Sequence, residues 1–212
     1  MDLPFVFHIG LPKTGTATLQ RALFTKHPEI FYLGKNVKSG HPKGCVTKEI
    51  FERLDPLIWG ISDRSNTEES RKFFQKILSE KTGPFKVILG SWEGLGNVPS
   101  EKHLKRMELL SSVFGNFRIM LTLRNPLKQV PSEYLQDIGG HFVKRNRHWM
   151  GMKPYIDVDQ WLSKRVARHK GLENVLTYSR NIKTALDMFG KENVGVFVFE
   201  ELITNPEQYY TD

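Results

Sequence analysis

Phe5-Val6-Phe7-His8-Ile9-Gly10-Leu11-Pro12-Lys13-Thr14-Gly15-Thr16-Ala17-Thr18 contains the change of pattern that decides the fold. Phe5 to Ile9 is a short, mostly apolar run of β-formers bounded by Pro4 and Gly10, the pattern of a buried strand. From Thr16 to Thr25 the sequence reads as a helix, with Leu19, Ala22 and Leu23 on one face and His27-Pro28 as its stop. Between them lies a turn bounded by Gly10 and Gly15. A helix N-terminus presents unpaired N–H groups and partial positive charge, and glycines let the backbone wrap closely. This turn is therefore a candidate anion site.

The same alternation continues along the chain. Helices are expected over Glu68–Lys81, Lys102–Phe114, Gln129–Ile138, Val158–Arg168 and Leu176–Phe189. Strands are expected over Lys86–Gly90, Phe117–Leu123 and Val194–Phe199, and Pro206 opens one more helix. Residues 34–48, rich in Gly, Lys, Pro and Ser, read as an exposed loop, and 139–155 as a basic, aromatic-rich irregular segment. Strands alternating with helices imply an α/β fold: a mainly parallel, P-loop-like sheet with helices on both faces, in a single domain.

An ATP-binding loop follows the pattern G-x-x-x-x-G-K-[ST]. Gly10 and Gly15 have that separation, but Thr16 and Ala17 follow, and the cation stands inside the loop at Lys13. This placement argues against a kinase or nucleoside triphosphatase. Taken alone, Gly, Lys and Thr also suit an ordinary strand–helix connection. A second phosphate reader comes from Leu121-Thr122-Leu123-Arg124-Asn125-Pro126, with Ser132 eight residues after Arg124. A guanidinium at a strand end offers a planar fork to a phosphate, and a hydroxyl from the next helix adds a donor. In isolation Arg124 reads more readily as a surface ion-pair partner and Ser132 as an ordinary helix residue.

Together these stretches resemble the sulfotransferase family. FHIGLPKTGTATLQ is similar to its 5′-phosphosulfate loop, in the flavour of the bacterial and carbohydrate branch, and R-N-P with Ser132-Glu133-Tyr134 resembles its 3′-phosphate motif. VGVFVFEELITNP (194–206) resembles the family's late strand and E-[DE]-L-x-x-[DN]-P. The resemblance implies a PAPS donor and a PAP product. Lys13 would contact the phosphosulfate and act at the bridging oxygen; Thr14, Gly15, Thr16, Ala17 and Thr18 would hold the 5′-phosphate; Arg124 and Ser132 would hold the 3′-phosphate. Ala17 stands where many members have a second Thr or Ser, so its amide remains but one hydroxyl is missing. Members continue into a C-terminal helix and basic loop. The expectation is a sulfotransferase domain over 1–212 without that lid.

Transfer to a hydroxyl, or less readily an amine, needs a base. Glu93 follows the second expected strand at the carboxyl edge of the sheet, where open α/β folds bind ligands. It reads equally as that base or as a cap or partner of a nearby lysine. His8 reads as a core histidine, and His41 and His103 as weaker candidate bases. In 139–155, Lys144, Arg145 and Arg147 interleave with Phe142, Trp149 and Tyr155, which suits an anionic sugar and equally single-stranded nucleic acid.

Of 212 residues, 39% are hydrophobic and 25% charged, ordinary for a globular protein, and the net charge of +8 favours anionic partners. One cysteine, Cys45, excludes an intramolecular disulfide framework. No histidine or carboxylate cluster has metal-ligand spacing, so no metal is expected. No apolar run approaches a membrane span, and the expectation is a cytoplasmic, bacterial enzyme without nucleic-acid or membrane partners. Its acceptor would be an anionic, carbohydrate or small molecule. The alternatives are a P-loop kinase or NTPase and a non-catalytic module that binds a nucleotide or polyanion.

Overall fold

The structure, a computed structural model, describes residues 3–35, 45–61, 63–96, 100–142, 157–169 and 178–211. Its centre is one five-stranded sheet of β1 (Phe5–His8), β2 (Ile30–Lys35), β3 (Val87–Ser91), β4 (Arg118–Leu123) and β5 (Val194–Val198), in the order β2-β3-β1-β4-β5. Every neighbouring pair is parallel. The helices are α1 (Thr16–Thr18), α2 (Lys48–Trp59), α3 (Arg64–Glu80), α4 (Ser100–Phe114), α5 (Pro126–Gln136), α6 (Val158–His169), α7 (Tyr178–Phe189), α8 (Phe199–Thr204) and α9 (Pro206–Thr211). Among the described residues, no helix is long and apolar enough to cross a membrane.

Side chains alternate across each strand, so the sheet carries two cores. Phe5, Phe7, Ile88, Ile119 and Leu121 face α2, α3, α4 and α7, where Leu54, Phe74, Leu110 and Phe189 meet them. There the rings of Phe5 and Phe114 stack at 4.1 Å. Leu89 faces the other side, with Leu19, Phe24, Tyr32 and Tyr209. Fully burying one such apolar side chain stabilises the fold by roughly 1.5–3 kcal/mol. The chain leaves central β1 for β2 on one side and later crosses to β4 on the other. The switch point, where such sheets bind ligands, therefore lies at the carboxyl end of β1.

The architecture is the expected parallel α/β sheet, with one strand, β2, and two helices, α2 and α8, added; α8 begins at Phe199, which was expected to end the last strand. β2 was not expected, and Gly34 and Lys35, assigned to a loop, form its end. Thr47, also assigned to that loop, caps α2 by accepting from the Ile50 amide at 3.2 Å; residues 36–44, with His41, lie outside the described ones. Helix α3 starts earlier than expected, at Arg64, because Asp63 accepts from the Asn66 amide at 2.8 Å. Asn125 caps α5, and Pro126 opens it where its missing N–H is not needed.

The helix expected over Thr16–Thr25 is α-helical only as far as Thr18; Leu19–Phe24 winds as a π-helix. Its wider winding changes the inward face. Leu19, Gln20 and Phe24 are buried, whereas Ala22, expected on the apolar face, is exposed. A second π-helical stretch covers Asp137–Phe142, at the start of the segment expected to be irregular. Its remaining residues 143–155, including Lys144, Arg145, Arg147, Trp149 and Tyr155, lie outside the described ones.

Candidate functional site

Three adjacent strands, β3, β1 and β4, end side by side and deliver Glu93, the Lys13 loop and Arg124 to one crevice edge. The loop must be thin. At Gly10 (φ +81°) a Cβ would lie 2.4 Å from Cα and Cβ of Glu93, and at Gly15 (φ +80°) 2.7 Å from the Phe199 ring. Glu93 thus packs on one end of the loop and α8 on the other. Lys13 itself is left-handed, with φ +65°. That conformation costs a non-glycine residue on the order of 1–3 kcal/mol and persists where the surroundings impose it.

The amides of Lys13 to Ala17 donate to no described acceptor, whereas Thr18 and Leu19 donate back to the Gly15 carbonyl. Thr14 is fully buried, and its hydroxyl donates inward to the Leu11 carbonyl at 2.6 Å. Thr14 can therefore offer an anion its amide and not its hydroxyl. Thr16 is buried and Thr18 exposed, and neither hydroxyl makes a hydrogen bond among the described residues.

Arg124 follows β4 and reaches back across the loop. Its Nη1 donates to the Lys13 carbonyl at 3.0 Å, and its guanidinium lies 4.9 Å from the Phe199 ring centre. Its Nε is buried without an acceptor among the described residues. A held guanidinium whose Nε, like the five loop amides, has no acceptor among the described residues is a fit for a phosphorylated ligand. Ser132 lies half-buried on α5 and makes no hydrogen bond to Arg124 or the loop.

Glu93 meets two residues that the motifs did not single out. Lys35, at the end of β2, donates to Oε1 at 2.6 Å, and Gln20 approaches Oε2 at 3.4 Å. Burial alone would raise the carboxyl pKa, but the Lys35 charge and hydrogen bond outweigh it and hold the group below its ordinary value. Both sequence readings of Glu93 are thus compatible with one place: it pairs with a lysine, and it lies against the loop. Gln20 had a signal only in hindsight, since the π-helical turn that points it inward has no clear sequence mark. Lys35 had one in the apolar run Ile30–Leu33 that precedes it.

Beneath the loop a directed chain of hydrogen bonds joins these parts. Gln20 Nε2 donates to Ser91 Oγ (2.9 Å), and Ser91 lies 2.7 Å from His8 Nδ1. His8 Nε2 lies 3.2 Å from Thr122 Oγ1, which in turn lies 2.6 Å from Thr14 Oγ1. Because Thr14 donates to Leu11, Thr122 must donate to Thr14, so His8 donates from Nε2; in the neutral imidazole Nδ1 then accepts from Ser91. Burial, opposed by Glu93 and aided by Lys35, brings the His8 pKa down to about 4. The unfolded chain therefore binds a proton near pH 6.5 that the native state refuses until about 4. Stability should fall by up to roughly 3 kcal/mol as pH drops through that window. Urea midpoints at pH 7 and pH 4.5 check it, and His8→Asn should flatten the difference.

His103 is fully buried, with Nδ1 3.0 Å from the Leu95 carbonyl, and burial lowers its pKa. It packs α4 and is not presented as a base at a crevice edge.

Solved structures share this architecture. A sulfotransferase from Alicyclobacillus acidocaldarius is similar with TM-score 0.61 at 19% identity, covering 98% of this chain and 78% of that one. The sulfotransferase domain of the curacin biosynthetic pathway gives 0.54 at 16% identity, over 100% of this chain and 72% of its own. The sulfotransferase domain of the Synechococcus PCC 7002 olefin synthase gives 0.55 at 12% identity, again over 100% and 72%. The protein is thus an α/β protein whose fold is that of bacterial sulfotransferases. No family model and no curated protein matches its sequence.

Proposed function

We propose that this protein is a sulfotransferase that moves a sulfuryl group from PAPS to a hydroxyl, less readily an amine, of a carbohydrate or other small acceptor. The observation that carries the reading is the strained Lys13 loop, with five unused amides, tied through its Lys13 carbonyl to Arg124. Lys13, Thr14, Gly15, Thr16, Ala17 and Thr18 would hold the 5′ side of the donor, and Arg124 with Ser132 the 3′-phosphate. The donor supplies an activated sulfuryl group whose departure leaves negative charge on phosphate. Lys13 and the loop amides are placed to stabilise that charge, as preorganised donors do in displacement reactions. Glu93, ionised at neutral pH, accepts the proton of the attacking hydroxyl, while Lys35 and Gln20 orient its carboxylate. The fold of the solved sulfotransferases and the absence of a lysine after Gly15 both favour this reading over a kinase.

Calorimetry with PAP tests it. Binding in the micromolar range is expected, weakened by about 1.5–3 kcal/mol in Arg124→Ala, as for a charge-assisted hydrogen bond. Magnesium–ATP should not displace PAP. Tighter binding of magnesium–ATP than of PAP would instead assign the loop to a kinase or NTPase. PAP binding without turnover of PAPS on any acceptor would leave a nucleotide-binding module.

A further inference from the structure

The loop's four carbonyls from Gly10 to Lys13 all accept hydrogen bonds. Gly10 accepts from the Thr122 amide at 2.8 Å and Leu11 from the Thr14 hydroxyl at 2.6 Å. Pro12 accepts from Gln129 Nε2 at 2.9 Å, and Lys13 from Arg124 Nη1 at 3.0 Å. The last two bonds flank the left-handed residue. In a planar trans peptide the N–H points opposite to the C=O. Pulling the Pro12 and Lys13 carbonyls toward α5 and Arg124 therefore turns the amides of Lys13 and Thr14 the other way, away from those anchors.

Gln129 is the anchor that no phosphate motif requires. It is fully buried on α5, its Nε2 also lies 3.5 Å from Glu133 Oε1, and its Oε1 accepts from the Tyr178 hydroxyl. That hydroxyl also lies 2.7 Å from the Arg124 carbonyl. One tyrosine hydroxyl thus meets the side chain of Gln129 and the main chain of Arg124.

We propose that Gln129, oriented by Tyr178, is a positioning residue that holds Lys13 in its left-handed conformation and so keeps the loop amides aimed at the bound anion. The inference rests on the loop being the donor's anion cradle, but its first test needs no ligand. Amide 15N relaxation of residues 13–17 in ligand-free protein should match that of β1 in the wild type. In Gln129→Met those amides should become mobile on the nanosecond scale, with β1 and β4 unchanged. Tyr178→Phe should shift them the same way, less strongly, and judges the question alone where Gln129→Met fails to fold. A loop that stays rigid, or a loss of order spread evenly over the sheet, overturns the inference.

PAP titration is the second arm. Gln129→Met should weaken binding at least about tenfold in the wild-type background. In Lys13→Gly, where a left-handed φ is free of strain, the same replacement should cost less than about threefold, because there is little strain left for Gln129 to hold. Equal losses in both backgrounds reject the strain-holding role. If the wild type does not bind PAP at all, the functional reading fails, and the relaxation data still decide what Gln129 does.

Discussion

Lys13→Ala is expected to lower the turnover of sulfuryl transfer roughly 100- to 1,000-fold, the loss seen when one preorganised donor to a developing negative charge is removed. The expectation comes from where the lysine stands. Lys13 is inside the loop, before Gly15 and not after it, and its backbone is held left-handed. Alanine keeps that backbone problem and removes the ammonium with its alkyl stem, so the charge is lost without relief of the backbone strain. PAP should bind the variant with a loss below about tenfold, because charge that builds up during the displacement is felt most in the transition state. Steady-state transfer with PAPS and calorimetry with PAP, on the same preparation, separate the two quantities. Equal losses in binding and turnover would make Lys13 a residue of uniform binding. No loss in either would remove the donor from the loop.

The parts of this site differ in how openly the sequence announces them. The Lys13 loop and Arg124 were legible because a strand end followed by Gly, Pro or Asn is a local signal, and anion chemistry at such ends is largely backbone chemistry. β1, β3, β4 and β5 were legible for the same reason, as short apolar runs between turn residues. β2 was obscured by the Gly/Lys/Pro-rich stretch that begins at Gly34, and α2 by Pro56 inside it. Pro56 is tolerated near the end of α2, where Gly60 (φ +70°) terminates the helix. With β2 unread, Lys35 had no place beside Glu93, although Lys35 and Ser91 are partners in the β2–β3 register. Gln20 was unreadable for a different reason. The apolar face was read from Leu19, Ala22 and Leu23, whereas the structure buries Leu19, Gln20 and Phe24 in a π-helical stretch, and nothing local marked a polar Gln20 as inward-facing. Local pattern specified the loops; the supports of the loops came from tertiary structure.

These supports make the acidic side of the site a more specific object than a carboxylate at a strand end. Ser91 is shared between Gln20, which approaches Glu93, and His8, which leads through Thr122 to Thr14 of the loop. The candidate base and the donor loop therefore stand on one continuous polar layer within the sheet. Hydrogen bonds in such a layer reinforce one another, and a neutral His8 is the member that links its two halves.

Glu93→Gln should reduce turnover by about 100- to 10,000-fold, the usual contribution of a positioned general base, with PAP affinity little changed. The amide keeps the shape that packs on Gly10 but cannot take a proton. It also leaves Lys35, whose side chain is 19% exposed, without its anion, so some loss of stability should accompany the loss of rate. Lys35→Met separates the two effects. In the wild type the carboxyl is held below its ordinary value of 4.5, so it is ionised across neutral pH and contributes no acidic limb there. Removing Lys35 leaves burial, the largest influence and the one that raises the pKa, opposed only by weaker contacts. The base form is the deprotonated one. The acidic limb of the pH–rate profile should therefore move to higher pH in Lys35→Met, while the rate above that limb stays close to wild type. A Lys35→Met profile that coincides with the wild type would mean that the titration of Glu93 does not govern proton removal. Full turnover in Glu93→Gln would pass the role of base to another group, and Glu93 would remain only the partner that fixes Lys35 against the loop.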